Sequence, residues 1–276
     1  MADSAIAVEM GAGGGQSHDK LTDEIVHHWS TAQSLEGGDD AIPRFLDTPL
    51  LLDLVGTSSN VVVQVLDMRR FKSVYVSPNV LDVVGFTPAE INERGVWQWL
   101  RNLTLREAIF QAKNARLLGR VQKGLPPRAH FHSAMINSGV RAKDGTRKRI
   151  VCQNLTVDWD EHGRATYQLF LWRDATHLFK TTQVVVRHTW RVLPSSEPIV
   201  WTYDPEKGKF AERDLFSDRE RTVLELVEHG LGSKDIAEKL GISPFTVDNH
   251  RKNMIGRFQV KTMEGLIEIG KWLRLI

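Results

Sequence analysis

The spacing of apolar positions changes along the chain and divides it into unequal parts. Residues 1–20 are Gly-rich and polar, which predicts a mobile arm. Thr22 or Asp23 then stands where it can cap a short helix through Glu24–Ala32, broken by Gly37, Gly38 and Pro43; arm and helix together make up residues 1–45. From Leu46 to Lys180 β-branched runs take over. Asn60–Asp67 and Phe71–Val76 predict two strands around a turn at Met68–Arg70. Ser77 can cap a helix that Gly85 ends, Thr87 and Pro88 open a second, and a longer helix is expected from Thr104 to Gln122. Strands over His130–Val140, Thr146–Trp159 and Ala165–Trp172 follow, separated by turns at Lys143–Gly145 and Asp160–Gly163. Two strands, helices, then three strands predict an α+β domain at 46–180, an antiparallel sheet with helices.

The stretch 181–215 is less decisive. Thr182–Leu193 and Pro198–Pro205 alternate well enough for two strands, which either extend the sheet or make a stiff connector.

Past Phe216 the period becomes helical, and two helix starts lie close together. Ser233 is the expected N-cap of a helix that stops at Gly241; Ser243 caps the next, Pro244 fills its first turn, and the pattern runs to Phe258. Two short helices joined by a Gly-containing turn predict a helix-turn-helix inside an all-α domain at 216–276. In the second helix Val247, His250 or Arg251, Met254, Ile255 and Phe258 form an inward stripe, while Asp248, Asn249, Lys252 and Asn253 lie opposite. Asn can pair with adenine, Lys can donate to guanine and a carboxylate can accept from cytosine, so Asp248, Asn249 and Lys252 are the candidate base readers. A last helix begins at Thr262, with Met263, Leu266, Ile267, Gly270 and Leu273 on its core stripe and Ile269 with Trp272 outside it. An exposed Ile-Trp pair reads as a contact with a second copy, or else as a fold-back over the domain's own edge.

The run from Phe216 to Val260 resembles the LuxR-type DNA-binding domain, on its Arg219-Glu220 pair, Gly230, the block Asp235–Ser243 and Thr246-Val247 followed by His250. The resemblance implies a four-helix module and pairing of modules through the last helix, which would make Ile269 and Trp272 dimer contacts. It also implies that Ser233, Lys234, Thr246 and Arg251 mainly hold phosphates. Members usually carry a basic or small residue after Thr-Val where this chain has Asp248, so base preference does not carry over. Residues 46–180 are similar to PAS domains in Tyr75–Ile91, the Arg141–Thr146 turn and the closing Leu171–Phe179. That likeness implies a sensor of a small molecule or cofactor, or a dimerisation unit, and fold alone does not choose.

Composition narrows the rest. At 276 residues, with 41% hydrophobic and 25% charged, the chain suits two modest cores. Net charge is only +2, so basic charge must be local, as in Arg251, Lys252, Arg257 and Lys261. The single cysteine, Cys152, rules out an internal disulfide and reads as a small buried hydrophobe. No secretory signal or membrane span is legible, so a cytoplasmic protein with no membrane partner is expected.

No cofactor is assigned from the sequence. Cys152 sits in a strand pattern, which does not suit a flavin adduct, and His130 and His132, the candidates for a haem ligand, read better as surface histidines. Trp97, Trp99, Phe131, Met135, Leu169 and Leu171 could line an apolar ligand pocket or equally fill a core. The expected function is a homodimeric, sequence-specific regulator of transcription binding double-stranded DNA, its PAS-like domain sensing a ligand or mediating dimerisation. The alternative is a signalling enzyme or phosphorelay protein using the PAS-like region. Against it stands the lack of a phosphate-cradling Gly motif, a metal-ligand cluster or a nucleophile elbow.

Overall fold

The computed structural model describes residues 61–275 apart from 102, 182, 193–196, 205–206 and 274, and for 94 and 96–101 the backbone alone. The expected arm and the helix after Thr22 lie outside the described residues.

Among the described residues, eight strands form one antiparallel sheet. They are β1 (Val62–Asp67), β2 (Lys72–Val76), β3 (His130–Arg141), β4 (Arg147–Trp159), β5 (Ala165–Asp174), β6 (Val185–Arg191), β7 (Ile199–Asp204) and β8 (Lys209–Ala211), in the order β2-β1-β5-β4-β3-β6-β7-β8. Between β2 and β3 run α1 (Val80–Val84), α2 (Pro88–Arg101, kinked at Gly95) and α3 (Leu105–Gly124). Among the described residues, the expected strands and helices are present. The stretch 181–215 extends the sheet, with β6 pairing on β3 and a third short strand, β8, added to the two foreseen.

Local chemistry explains the boundaries. Thr104 and Glu107 close a capping box at the start of α3, and Gly85 ends α1 in the left-handed conformation. Ser77 does not cap α1. Its Oγ accepts from the Val63 amide at 2.9 Å and donates to Asn79 Oδ1, because a hydroxyl beside an edge strand satisfies the sheet before the helix begins. At the β4–β5 turn, Asp160 Oδ1 accepts from the amides of His162 and Arg164, while Gly163 has φ 76° and a Cβ there would collide with Pro127.

The C-terminal part is all helical: α4 (Asp218–Glu228), α5 (Ser233–Leu240), α6 (Pro244–Phe258) and α7 (Met263–Trp272). Its core is continuous with the rear face of the sheet, where Ala134, Ile136, Val151 and Val185 join Phe216, Phe258, Leu266 and Ile269 in one cluster. The front face of the same sheet turns toward α1, α2 and α3 and encloses a cavity of about 410 Å³. One sheet therefore separates the cavity from the helical module.

Candidate nucleic-acid interface and ligand cavity

The helix-turn-helix is held by small local devices. Glu220 exchanges hydrogen bonds with Ser217 at the start of α4 and pairs with Arg257 from α6; Arg257 also donates to the Leu215 carbonyl. Burial raises the Glu220 carboxyl, but Arg257 and the Ser217 amide outweigh it and hold it below the ordinary range. Arg219 Nη2 donates to the Leu240 carbonyl at 2.8 Å, fixing α4 to the end of α5. The Arg219-Glu220 pair is thus a brace and stands apart from the outer face of α6.

Gly241 ends α5 at φ 64°, and Ser243 caps α6 by accepting from the Thr246 amide at 3.1 Å, with Pro244 in the first turn. Val247, Met254 and Phe258 are buried, while Asp248, Asn249, Lys252 and Asn253 are exposed. Ser233 is the first residue of α5, since Gly232 takes the cap position with its amide donating to Asp235. The Ser233 hydroxyl is thereby left to bridge the two helices, donating to Asp248 Oδ1 at 2.6 Å and accepting from Arg251 Nη1 at 3.2 Å. Ser233, Asp248 and Arg251 form one cluster, with Lys234 exposed beside it on α5 and Thr246 Oγ1 2.9 Å from Ser243 Oγ. Phe245, which the polarity pattern passed over, is 73% exposed in the first turn of α6, one turn before Asn249.

Residues 214–269 match the sequence profile of the family described as bacterial regulatory proteins, luxR family. The C-terminal module is a LuxR-family helix-turn-helix. Over 67 residues, 24% of this chain and 31% of the relative, it is 43% identical to the transcriptional regulatory protein MctR of Rhizobium johnstonii. It is 41% identical over 59 residues, 21% and 29% of the two chains, to the transcriptional regulatory protein FixJ of Rhizobium meliloti. The chain spans just under a third of the length of these curated relatives. Among solved structures, a Vibrio cholerae VqmA dimer described among LuxR-type receptors aligns over 81% of this chain and 87% of its own, at 14% identity and TM-score 0.30. At that score the likeness carries nothing over to this chain.

The last helix of the LuxR module corrects an expectation. Ile269 and Trp272 are not an exposed pair: Ile269 is fully buried in the same core cluster as Leu266 and Leu273, and Trp272 is half-buried. The sheet of the same chain lies against Trp272. The Arg173 guanidinium lies 5.3 Å from the Trp272 ring centroid and donates to Glu268 at 2.9 Å, and Gln153 Nε2 donates to the Trp272 carbonyl at 2.6 Å. Further along the seam, Lys180 and Lys261 amides donate to the Gln259 and Leu178 carbonyls, both at 2.9 Å, and Arg187 grips both oxygens of Asp214 at 2.7 and 2.9 Å. Spacing put Ile269 outside the core stripe, whereas the structure buries it with Leu266 and Leu273, and spacing could not say that the chain's own sheet would lie against Trp272.

Of the six residues left open between pocket and core, Phe131 and Met135 line the cavity. Leu169 and Leu171 do not. Their strand presents Gln168, Phe170 and Trp172 to the cavity, because register places Phe170 opposite Asn154 and Trp172 opposite Cys152, and alternation sends the leucines to the other face. Trp97 and Trp99 lie on α2, and their side chains are outside the described part. His130 packs edge-on against Trp159, and His132 Nε2 lies 3.2 Å from Gln153 Oε1; neither lines the cavity. Cys152 does line it, buried, and burial pushes its thiol up to about 12, so it is an inert wall. The cavity's polar lining includes Ser133, Asn154 and His188, none of which the sequence singled out. His188 was hidden in the stretch whose place in the fold was open.

Proposed function

We infer that this chain is a sequence-specific DNA-binding regulator of transcription, with α6 of its LuxR-family module reading the major groove and its PAS-like domain binding a small molecule. The observation that supports DNA reading is the outer face of α6. Asn249, Lys252 and Asn253 stay exposed although α7 is buried against the sheet, so the docked arrangement does not cover the reading face. Asn249 and Lys252 are the base readers in this account, and Phe245 supplies an apolar contact of the kind made with a thymine methyl. Asp248 reaches a base only by releasing Ser233, so its place is that of a residue freed on binding. Lys234, Thr246, Arg251 and Ser233 contact phosphates.

Regulation follows from the two faces of one sheet. The cavity suits a ligand, being concave, mostly apolar and provided with a few convergent polar groups. Homodimerisation belongs to the same reading but falls to the sheet domain, since α7 is engaged within the chain. Among the described residues no helix is long and apolar enough to cross a membrane, and DNA as partner favours the cytoplasm.

The reading is tested by equilibrium binding of the full chain to a pool of random duplexes over a salt series. We expect binding that weakens steeply with salt and leaves a sequence-dependent component. Equal affinity for every duplex, or none at low salt, would refute it.

A further inference from the structure

Ser133 of β3 stands opposite Asn154 of β4 and opposite His188 of β6. Cross-strand partners leave the same face of a sheet, so these three side chains make a row about 10 Å long, set by the strand spacing. The row lines the cavity and continues to Phe170 and Gln64 across β5 and β1. Ser133 Oγ, Asn154 Oδ1 and His188 Nδ1 are all buried, and none has a hydrogen-bond partner among the described residues. A buried polar atom left in that state is costly, and three side by side on one wall call for a common partner.

The chemistry of that partner can be read from the atoms. His188 Nε2 lies 2.6 Å from Asn114 Oδ1, an amide oxygen that only accepts, and the Asn114 amide nitrogen is engaged by Gln111 Oε1 at 3.4 Å. Nε2 therefore carries the proton and Nδ1 offers a lone pair. Burial holds the ring neutral, its pKa drawn down to about 3 with His132 adding to the effect. Asn154 Oδ1 is likewise an acceptor, and the Ser133 hydroxyl between them adapts to either role. Two acceptors flanking a hydroxyl ask for N–H or O–H donors. The row itself fits neither net charge: a carboxylate would face two lone pairs there, since the basic lining residues Lys123, Arg141 and Arg164 lie outside the row, and a cation would find no Asp or Glu among the described lining residues. Phe131, Phe170 and Trp190 flank the row, with the Phe131 and Trp190 rings 5.2 Å apart, so the walls suit a flat molecule.

We propose that the cavity selects a small, flat, uncharged molecule that presents N–H or O–H donors along one edge to Asn154, Ser133 and His188. This deepens the ligand-binding half of the function above and rests on it.

Three near-isosteric probes test the class with the full chain by calorimetric titration at neutral pH: benzamide, uncharged with donors; benzoate, an anion without them; and benzamidinium, a cation. Benzamide is expected to bind at least about tenfold more tightly than either ion. Asn154→Leu and Ser133→Ala should each erase most of that preference and, having removed an unpaired buried polar atom, raise the melting temperature of the probe-free chain. The stability readout keeps the test independent of weak binding. Benzoate or benzamidinium binding as tightly as benzamide, or a preference unchanged in both variants, would overturn the class while leaving a ligand site standing. No binding of any probe up to about 10 mM, a concentration at which even weak sites fill, together with no gain in melting temperature, would overturn the site itself.

Discussion

Gln153 and Asn154 are neighbours in β4 that face opposite ways: Gln153 Nε2 donates to the Trp272 carbonyl of α7 at 2.6 Å, while Asn154 Oδ1 belongs to the polar row of the cavity. The same alternation recurs in β6, where Arg187 binds Asp214 just ahead of α4 and His188 lines the cavity. A shift of either strand on the cavity side is therefore felt at the seam with no intervening layer.

The seam should be breakable without unfolding either part. Arg187→Ala removes a two-pronged charged contact worth roughly 1–3 kcal/mol, leaving Asp214 with Arg221 and the Leu215 amide. Faster hydrogen exchange of the α7 amides is expected, with the amides of β4 and β5 unchanged. Unaltered α7 exchange would show that the apolar contacts hold the seam by themselves.

On DNA, Lys252→Ala and Asn249→Ala should each relax preference at one base position by roughly 1–3 kcal/mol, whereas Lys234→Ala should weaken all sequences alike and flatten the salt slope. Phe245→Ala should reduce discrimination between thymine and uracil at one position, since only the methyl distinguishes them. Base-substituted duplexes in a competition assay check all four.

Glu107 anchors α3 to the sheet. Its carboxylate caps the helix, pairs with Arg147 and lies 3.3 Å from Arg149 Nη1, itself almost wholly buried and bonded to Asn137. Glu107→Ala leaves that guanidinium buried without its carboxylate, which should cost about 3–5 kcal/mol in urea unfolding. The double change Glu107→Leu with Arg149→Met should recover much of the loss, as it removes both charges together.

Stability should also depend on pH in a window assignable to one ring. His188 titrates near 3 when folded but near its ordinary value of about 6.5 when unfolded, so between these limits the unfolded chain binds more protons. Stability is then full above about pH 6.5 and falls as pH drops, by about 2 kcal/mol by pH 5. Asp214 and Glu220 are held below the ordinary carboxylate range by Arg187 and Arg257 respectively, against burial, so their contributions persist above about pH 4 and are lost below it. His188→Gln keeps the donor to Asn114 but does not titrate, and its urea midpoint should be flat from pH 6.5 to 5.

Much of this was legible in the sequence because the signals were local. Gly241, Ser243 and Pro244 set the turn and the start of α6 by short-range chemistry, and the strand boundaries from Val62 to Asp174 follow β-branched runs and their turns. What was not legible depends on register and on distant partners. Leu169 and Leu171 were placed on the wrong face because parity in β5 is set by its pairing with β4. Ser133, Asn154 and His188 come from strands separated in sequence, and only the cross-strand ladder makes them a row. Spacing alone did not place Ile269 in the core or set the sheet against Trp272.

The central claim, that α6 reads DNA sequence, is tested most directly by selecting duplexes from a random pool with the full chain and with its Asn249→Ala variant in parallel. The account predicts one enriched motif for the natural chain and the same motif with a single position relaxed for the variant. Motifs identical at every position, or no enrichment with the natural chain, would contradict it.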